Sequence, residues 1–246
     1  MYRFFVEPSQ IVEDKIFITG TDVNHIKNVL RMKVGEPIAI SDGQKWEYYC
    51  IIEKLEEDQI IAQIEEKEED SKELPVRITL FQGIPKSDKL ELIIQKAVEL
   101  GACEIVPVAM KRSVAKIEPK KAQKKVERFN AIALSAAKQA KRSLIPTVSM
   151  PMSWQEAVAY GKTMERCIVP YEDERGMNHA RELVKSLHGV KSIGIYIGPE
   201  GGFDEKEIEQ AKQSGFEIMT LGRRILRTET AGLTALSILM FELEEE

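Results

Sequence analysis

The stretch from Ile193 to Leu236 constrains this chain most. Ile193-Gly194-Ile195-Tyr196-Ile197 is a short apolar run of the kind that forms a buried strand, and it stops in Gly198-Pro199-Glu200-Gly201-Gly202-Phe203. Asp204 then opens a helix with Glu205 and Glu207 in its first turn, where acids meet the positive end of the helix dipole. A second strand, Phe216 to Leu221, ends at Gly222, and Ala231-Gly232 lies on a further helix. Alternating strands and helices call for a parallel sheet. Two glycine turns at the carboxyl ends of neighbouring strands are where such a sheet builds a ligand crevice. The small-molecule site is expected here.

What the crevice lacks narrows its ligand. No Gly-Lys-Ser/Thr follows the first turn, and the glycines do not have dinucleotide-binding spacing. Glu200 would repel a polyphosphate. A flat base, a ribose and a cationic or zwitterionic tail fit better, and S-adenosylmethionine is such a ligand. On the residues alone a second reading stands beside it, in which the glycines only make tight turns.

Upstream, the pattern changes twice. Phe4-Phe5-Val6, Lys15 to Ile18, Pro37 to Ile40, Tyr48 to Ile52 and Ile60 to Ile64 are short β-rich runs, with a helical apolar spacing from Val23 to Leu30, so residues 1–72 read as a small β-barrel domain. Glu65 to Pro75 is acidic and polar enough to be a linker. Residues 73–246 read as α/β: strand Arg77 to Gln82, a helix capped by Asp88 and running to Gly101, and strand Ile105 to Val108 make a βαβ unit. Ser153 starts another helix, Arg166 to Pro170 is a strand, and Tyr171-Glu172 falls near the crevice.

Charge is unevenly spread. The formal net charge is -5, yet Lys111 to Arg142 carries eleven basic residues against Glu118 and Glu127. A basic face on a long helix is the footprint of a nucleic-acid partner, although lysines on a helix also merely solubilise it. No apolar run approaches the ~18 residues of a membrane span, and Met1 to Pro8 lacks the core of a signal peptide, so a cytoplasmic protein is expected. Cys50, Cys103 and Cys167, and His25, His179 and His188, are scattered, which predicts buried free thiols and no metal site.

Gly198-Pro199-Glu200-Gly201-Gly202-Phe203 together with Leu221-Gly222-Arg223-Arg224-Ile225-Leu226-Arg227-Thr228-Glu229-Thr230-Ala231 resembles the cofactor end of the SPOUT RNA methyltransferases. Within them the chain is most similar to the ribosomal RNA small-subunit methyltransferase E family, with Arg3-Phe4-Phe5, His25 to Gly43 and Ala136-Ala137-Lys138-Gln139 extending the likeness over most of its length. The resemblance implies S-adenosylmethionine as cofactor and N3 of one uridine in 16S ribosomal RNA as acceptor. It also implies a PUA-like barrel, a trefoil knot in the α/β domain and a homodimer through the terminal helix, Thr230 to Leu243. Burial of that helix in its own domain is the alternative.

The backbones of Gly198, Pro199, Glu200, Gly201, Gly202, Leu221, Gly222, Ile225 and Leu226 would then surround adenine and ribose. Arg227 would stabilise charge on the uridine oxygen, with Glu229 or Glu200 assisting deprotonation. RNA contacts are expected from Arg3, Arg31 and Lys33, from Lys86, and from Arg112, Lys141 and Arg142. The competing functions are an RNA-binding ribosome-assembly protein without transfer activity, methylation at another RNA position, and a nucleotide-dependent enzyme.

Overall fold

The computed structural model of the chain describes residues 1–44, 46–69, 73–86, 88–171 and 176–244. Internal contacts divide it into two compact units, Met1–Glu73 with Ala137–Ile145, and Leu74–Ala136 with Pro146–Glu246.

The first unit is built on β1 (Tyr2–Phe5), β2 (Ile11–Val12), β3 (Lys15–Thr19), β4 (Pro37–Ser41), β5 (Trp46–Leu55) and β6 (Gln59–Glu69), in the order β1-β4-β5-β6-β3-β2. β1 runs parallel to β4 and the other pairs are antiparallel. Alternate residues point one way on a strand, so Ile16, Ile18, Ile38, Ile40, Ile60 and Ala62 fill one core with Phe4. The expected helix from Val23 is α1 (Thr21–Asn24) continued as a π turn over His25–Val29.

The acidic linker is corrected in its first half. Glu65 to Glu69 belong to β6, and Glu66 to Glu69 pair with β5, where the Lys67 ammonium lies 4.0 Å from the Trp46 ring centroid and Tyr49 Oη donates to Glu68 at 2.5 Å. Its polarity reported a solvated strand face rather than missing structure. Residues 70–72 of that stretch, like Glu172, lie outside the described residues.

The second unit has a parallel sheet of β7 (Arg77–Gly83), β8 (Ala102–Ala109), β9 (Thr147–Val148), β10 (Met152–Ser153), β11 (Arg166–Pro170), β12 (Ser192–Ile197) and β13 (Glu217–Met219). The order is β10-β8-β7-β12-β11-β13, with β9 beside β8. Its helices are α2 (Lys89–Glu99), α3 (Pro119–Gln139), α4 (Trp154–Gly161), α5 (Met177–Lys185), α6 (Glu205–Gln213) and α7 (Thr228–Leu243). The expectation that β12 and β13 are neighbours is corrected: β11 lies between them.

Ser153 and Asp204 cap α4 and α6 as their sequence predicts, each in a reciprocal box with the glutamate three residues on. Asp88 sits at the N-cap of α2 but its side chain makes no capping bond. The basic helix starts only at Pro119, a residue whose missing N–H suits a first turn, so Lys111 to Glu118 precede it.

An aromatic core fixes the sheet beneath the crevice. Phe81 on β7 stacks on Tyr196 of β12 with centroids 4.2 Å apart, and Trp154 packs edge-on against Tyr196 and Phe203. Buried Tyr196 keeps its hydroxyl satisfied by donating to Ala157 O at 2.7 Å.

Candidate functional site

The crevice lies where connections part. β7 and β12 are adjacent, but the chain leaves β7 for β8 on one side and leaves β12 for β13 on the other. That divergence is the switch point at which an open α/β sheet accepts a ligand. The loops after the two strands are in close contact: a Cβ on Gly83 would stand 2.6 Å from Pro199 N, so only glycine fits there.

The chain then returns from edge strand β13 to this same place. Thr228, buried in the first turn of α7, donates to Gly198 O at 2.6 Å and accepts from Gln82 Nε2 at 2.9 Å. One hydroxyl therefore ties the end of β7, the loop after β12 and the start of α7. Gln82 and Thr228 were not among the residues singled out from the sequence. Nothing in the local pattern marks a glutamine ending an apolar strand, and Thr228 was seen only as part of a motif.

Glu200 and Glu229 are brought together by a residue the sequence reading also missed. Lys89 Nζ, in the first turn of α2, is 3.4 Å from Glu200 Oε1 and 3.2 Å from Glu229 Oε2. Glu200 also accepts from the Lys86 backbone N–H at 3.0 Å. The signal was available: two carboxylates converging on one crevice require a cation, and Lys89 opens the neighbouring helix. Hydrogen bonding to Glu229 raises the Lys89 pKa against the opposing effect of burial. For Glu200, burial pushes up, but bonds from its own and the Lys86 backbone and from Lys89 outweigh it, and the carboxyl is held below the usual range. Glu229 follows the same balance through its own N–H and Lys89. Both are paired and weakly basic, which argues against either as the base.

The other cofactor-loop residues separate by what surrounds them. Gly202 and Gly222 have φ of +67° and +119°, with no atom within 4 Å of where a Cβ would lie, so bare backbone faces open space at both. Gly201 is exposed but faces Arg112 instead, where a Cβ would meet Arg112 Cβ at 3.0 Å and Arg112 O at 3.1 Å. Arg112 in turn donates to Gly201 O at 3.3 Å, and Lys111 N donates to Glu207 at 2.8 Å. Lys111 also pairs with Asp204, which lowers the Asp204 pKa. Pro199 is buried, Leu221 and Leu226 are half-buried, and Ile225 is 86% exposed. Arg227 is exposed at the N-cap of α7.

These residues fit S-adenosylmethionine better than a phosphate ligand. The crevice offers open glycine backbone, and the Glu200–Lys89–Glu229 cluster carries a net negative charge that suits a sulfonium and opposes a polyphosphate. Among the described residues no cluster could hold a metal ion. Cys50, Cys103 and Cys167 form no disulfide with one another; Cys50 and Cys167 are buried, which pushes their thiols up to about 12, whereas Cys103, expected to be buried, is half-buried.

Two expected RNA contacts are corrected. The Arg3 side chain is 6% exposed and donates to Glu47 and to the backbone oxygens of Lys141 and Arg142. Arg142 is 5% exposed and bonded to Glu73 through Nε and Nη2. Both guanidiniums are occupied inside the first unit. Arg31, Lys33 and Lys141 are exposed there, and Lys86 and Arg112 are accessible in the second unit.

Comparison with known proteins agrees with this geometry. Residues 72–240 match the RNA methyltransferase domain, and residues 18–65 the RNA methyltransferase PUA domain. Ribosomal RNA small subunit methyltransferase E of Bacillus subtilis is 38% identical over 99% of this chain and 98% of its own. The protein of that name from Mesomycoplasma hyopneumoniae is 35% identical over 96% and 98%. A crystal structure of the Neisseria gonorrhoeae enzyme of that name, bound to S-adenosylmethionine, superposes with a TM-score of 0.83 at 32% identity, covering 98% of this chain and 97% of that one. Agreement over nearly the whole length, through both units, means that the chain belongs to the ribosomal RNA small subunit methyltransferase E family.

Proposed function

We propose that the chain transfers a methyl group from S-adenosylmethionine to N3 of a uridine in 16S ribosomal RNA. The observation that carries this is the crevice itself: open glycine backbone after β12 and β13, gathered by Thr228 and lined by a net acidic cluster, in a chain of this family. When bound, S-adenosylmethionine supplies an electrophilic methyl on a sulfonium. The backbones at Gly198, Gly202, Leu221, Gly222, Ile225 and Leu226 bind and orient it, and orientation is a large part of what such a transfer needs.

The uridine imide nitrogen keeps its proton at neutral pH. Arg227 is exposed at the start of α7 and stabilises the negative charge that spreads to the uracil oxygen as that proton passes to solvent water. Glu200 and Glu229 are assigned to holding Lys89, and with it the loops, rather than to the proton. Exposed Arg31, Lys33 and Lys141 in the first unit, and Lys86 and Arg112 in the second, contact the RNA backbone.

The finer architecture belongs to the same reading. The first unit is a PUA-like barrel, in keeping with its matched family and its single sheet. The segment after β12 is threaded as a trefoil knot, a reading supported by the return from edge strand β13 to the centre of the sheet. The protein acts on small subunits in the cytoplasm, as a homodimer through α7.

The test is methyl transfer from labelled S-adenosylmethionine to small ribosomal subunits from a strain lacking this gene, followed by nucleoside analysis. A single new N3-methyluridine is expected. Label in a ribose or a purine would overturn the acceptor, and no label together with no binding of S-adenosylhomocysteine would overturn the activity.

A further inference from the structure

The loop between β13 and α7 carries three exposed side chains that the proposed cofactor contacts, made through backbone, leave unassigned. Arg223, Arg224 and Ile225 are all exposed, Ile225 to 86%. Arg112, Arg128 and Arg166 of this unit each have a partner, Gly201 O and Asp204, Glu91, and Glu217 respectively, although Arg112 and Arg128 remain exposed. Among the described residues, Arg223 and Arg224 have no hydrogen-bond or ion-pair partner. Gly222, at φ +119° with open space where a Cβ would lie, is the turn residue immediately before these three.

Three physical facts bear on such a tip. A methyl acceptor on the pairing edge of a base is reached only when that base leaves its stack. An apolar side chain inserted between bases fills the space that is left, and guanidiniums hold the flanking phosphates. An isoleucine this exposed gains nothing from water. Two adjacent unpaired arginines also favour an anionic partner over a second copy of the same loop, which would bring like charges together.

We infer that Arg223 and Arg224 clamp the phosphates beside the target nucleotide, while the Ile225 side chain wedges into the stack as the base swings into the crevice. This rests on the RNA methyltransferase reading above. It is compatible with cofactor contact through the Ile225 backbone, since only the side chain is committed to RNA. Arg223 and Arg224 act as binding residues and Ile225 as a positioning residue for the acceptor.

The test uses the full chain with small ribosomal subunits that lack the methyl group, and titration with S-adenosylhomocysteine as a separate readout. Arg223→Gln with Arg224→Gln should raise KM for subunits roughly tenfold with kcat little changed. The double variant should also flatten the salt dependence of binding to a uridine dodecamer by about 0.7 in log-log slope per arginine removed. Ile225→Ala should lower kcat roughly tenfold or more at nearly constant subunit KM, with Ile225→Leu restoring most of it. S-adenosylhomocysteine affinity should hold in every variant.

An unchanged salt slope would remove the clamp. Wild-type kcat in Ile225→Ala would remove the wedge, and loss of S-adenosylhomocysteine affinity would return the side chain to the cofactor site. A change of oligomeric state in sedimentation would assign the tip to a partner copy instead. Failure of the wild-type chain to methylate subunits or bind S-adenosylhomocysteine would sink the underlying activity, a separate outcome from these.

Discussion

Lys89 shows how much one side chain can organise. It stands between carboxylates from two different loops, Glu200 after β12 and Glu229 at the start of α7. Replacing it by methionine leaves two like charges facing each other across the crevice, and we expect S-adenosylhomocysteine to bind about fivefold more weakly, measured by calorimetry. The pH dependence has a definite sign. Glu200 and Glu229 are lowered from 4.5, so their contribution is complete above that value and is lost as pH falls through their folded-state pKa. Lys89 is raised from 10.5, so its contribution is complete below that value and is lost as pH rises through its own. Affinity should therefore be flat from about pH 5 to about pH 10 in the wild type, with the acid limb reduced in Glu229→Gln. A wild-type transition near neutrality would show that some other group controls the loops. Arg3 and Arg142 teach the opposite lesson at this scale, since a basic residue close to a motif reads as a nucleic-acid contact until its burial is known.

At the scale of elements, α7 divides into two faces that its composition does not separate. Gly232, Ala235, Leu236, Leu239 and Leu243 are buried in their own unit. Thr230, Leu233, Thr234, Ser237, Ile238, Phe241 and Glu242 line an open groove of about 490 Å³, and Phe241 is 85% exposed. Half-buried Leu233 and Ile238 with exposed Phe241, at helical spacing, are the basis for the proposed pairing with a second copy. Phe241→Glu should then give a monomer in sedimentation, whereas a wild-type chain already monomeric at micromolar concentration would remove the dimer. The sequence could show that this helix is apolar all round, but not which half its own sheet would cover.

Other elements show the same boundary between local and distant information. Asp204 and Ser153 were legible because a capping box is closed within four residues. The glycine loops were legible as turns, and the family resemblance supplied the role proposed for them. The insertion of β12 between β7 and β11, the contacts of Gln82 with Thr228, and the pairing of Lys89 depend on residues more than a hundred positions apart, and no local pattern encodes them. Gly201 is intermediate, identified correctly as a loop residue but packed toward Arg112 rather than open space.

At the scale of the molecule, the first unit is discontinuous. Residues 137–145 follow some sixty residues of the second unit, yet their contacts lie with Met1–Glu73. Lys138 pairs with Asp22 at 2.9 Å, Ser143 O accepts from the buried Ser41 hydroxyl at 2.8 Å, and Glu73 accepts from the backbone N–H groups of Ser143 and Leu144. Arg142 joins this set through Glu73 with only 5% of its surface exposed. Without Arg142 the Glu73 carboxylate, 21% exposed, keeps its two backbone donors but loses its cation, which costs about 1–3 kcal/mol. Arg142→Ala should therefore lower the stability of the full chain by about that amount in a denaturant titration, with Lys141→Ala as an exposed control near zero. A fragment ending at Glu73 would lack all of these partners, including both backbone oxygens that accept from Arg3, and should be unfolded by circular dichroism. A folded fragment, or an Arg142→Ala protein as stable as wild type, would mean that the unit closes its core without the returning segment.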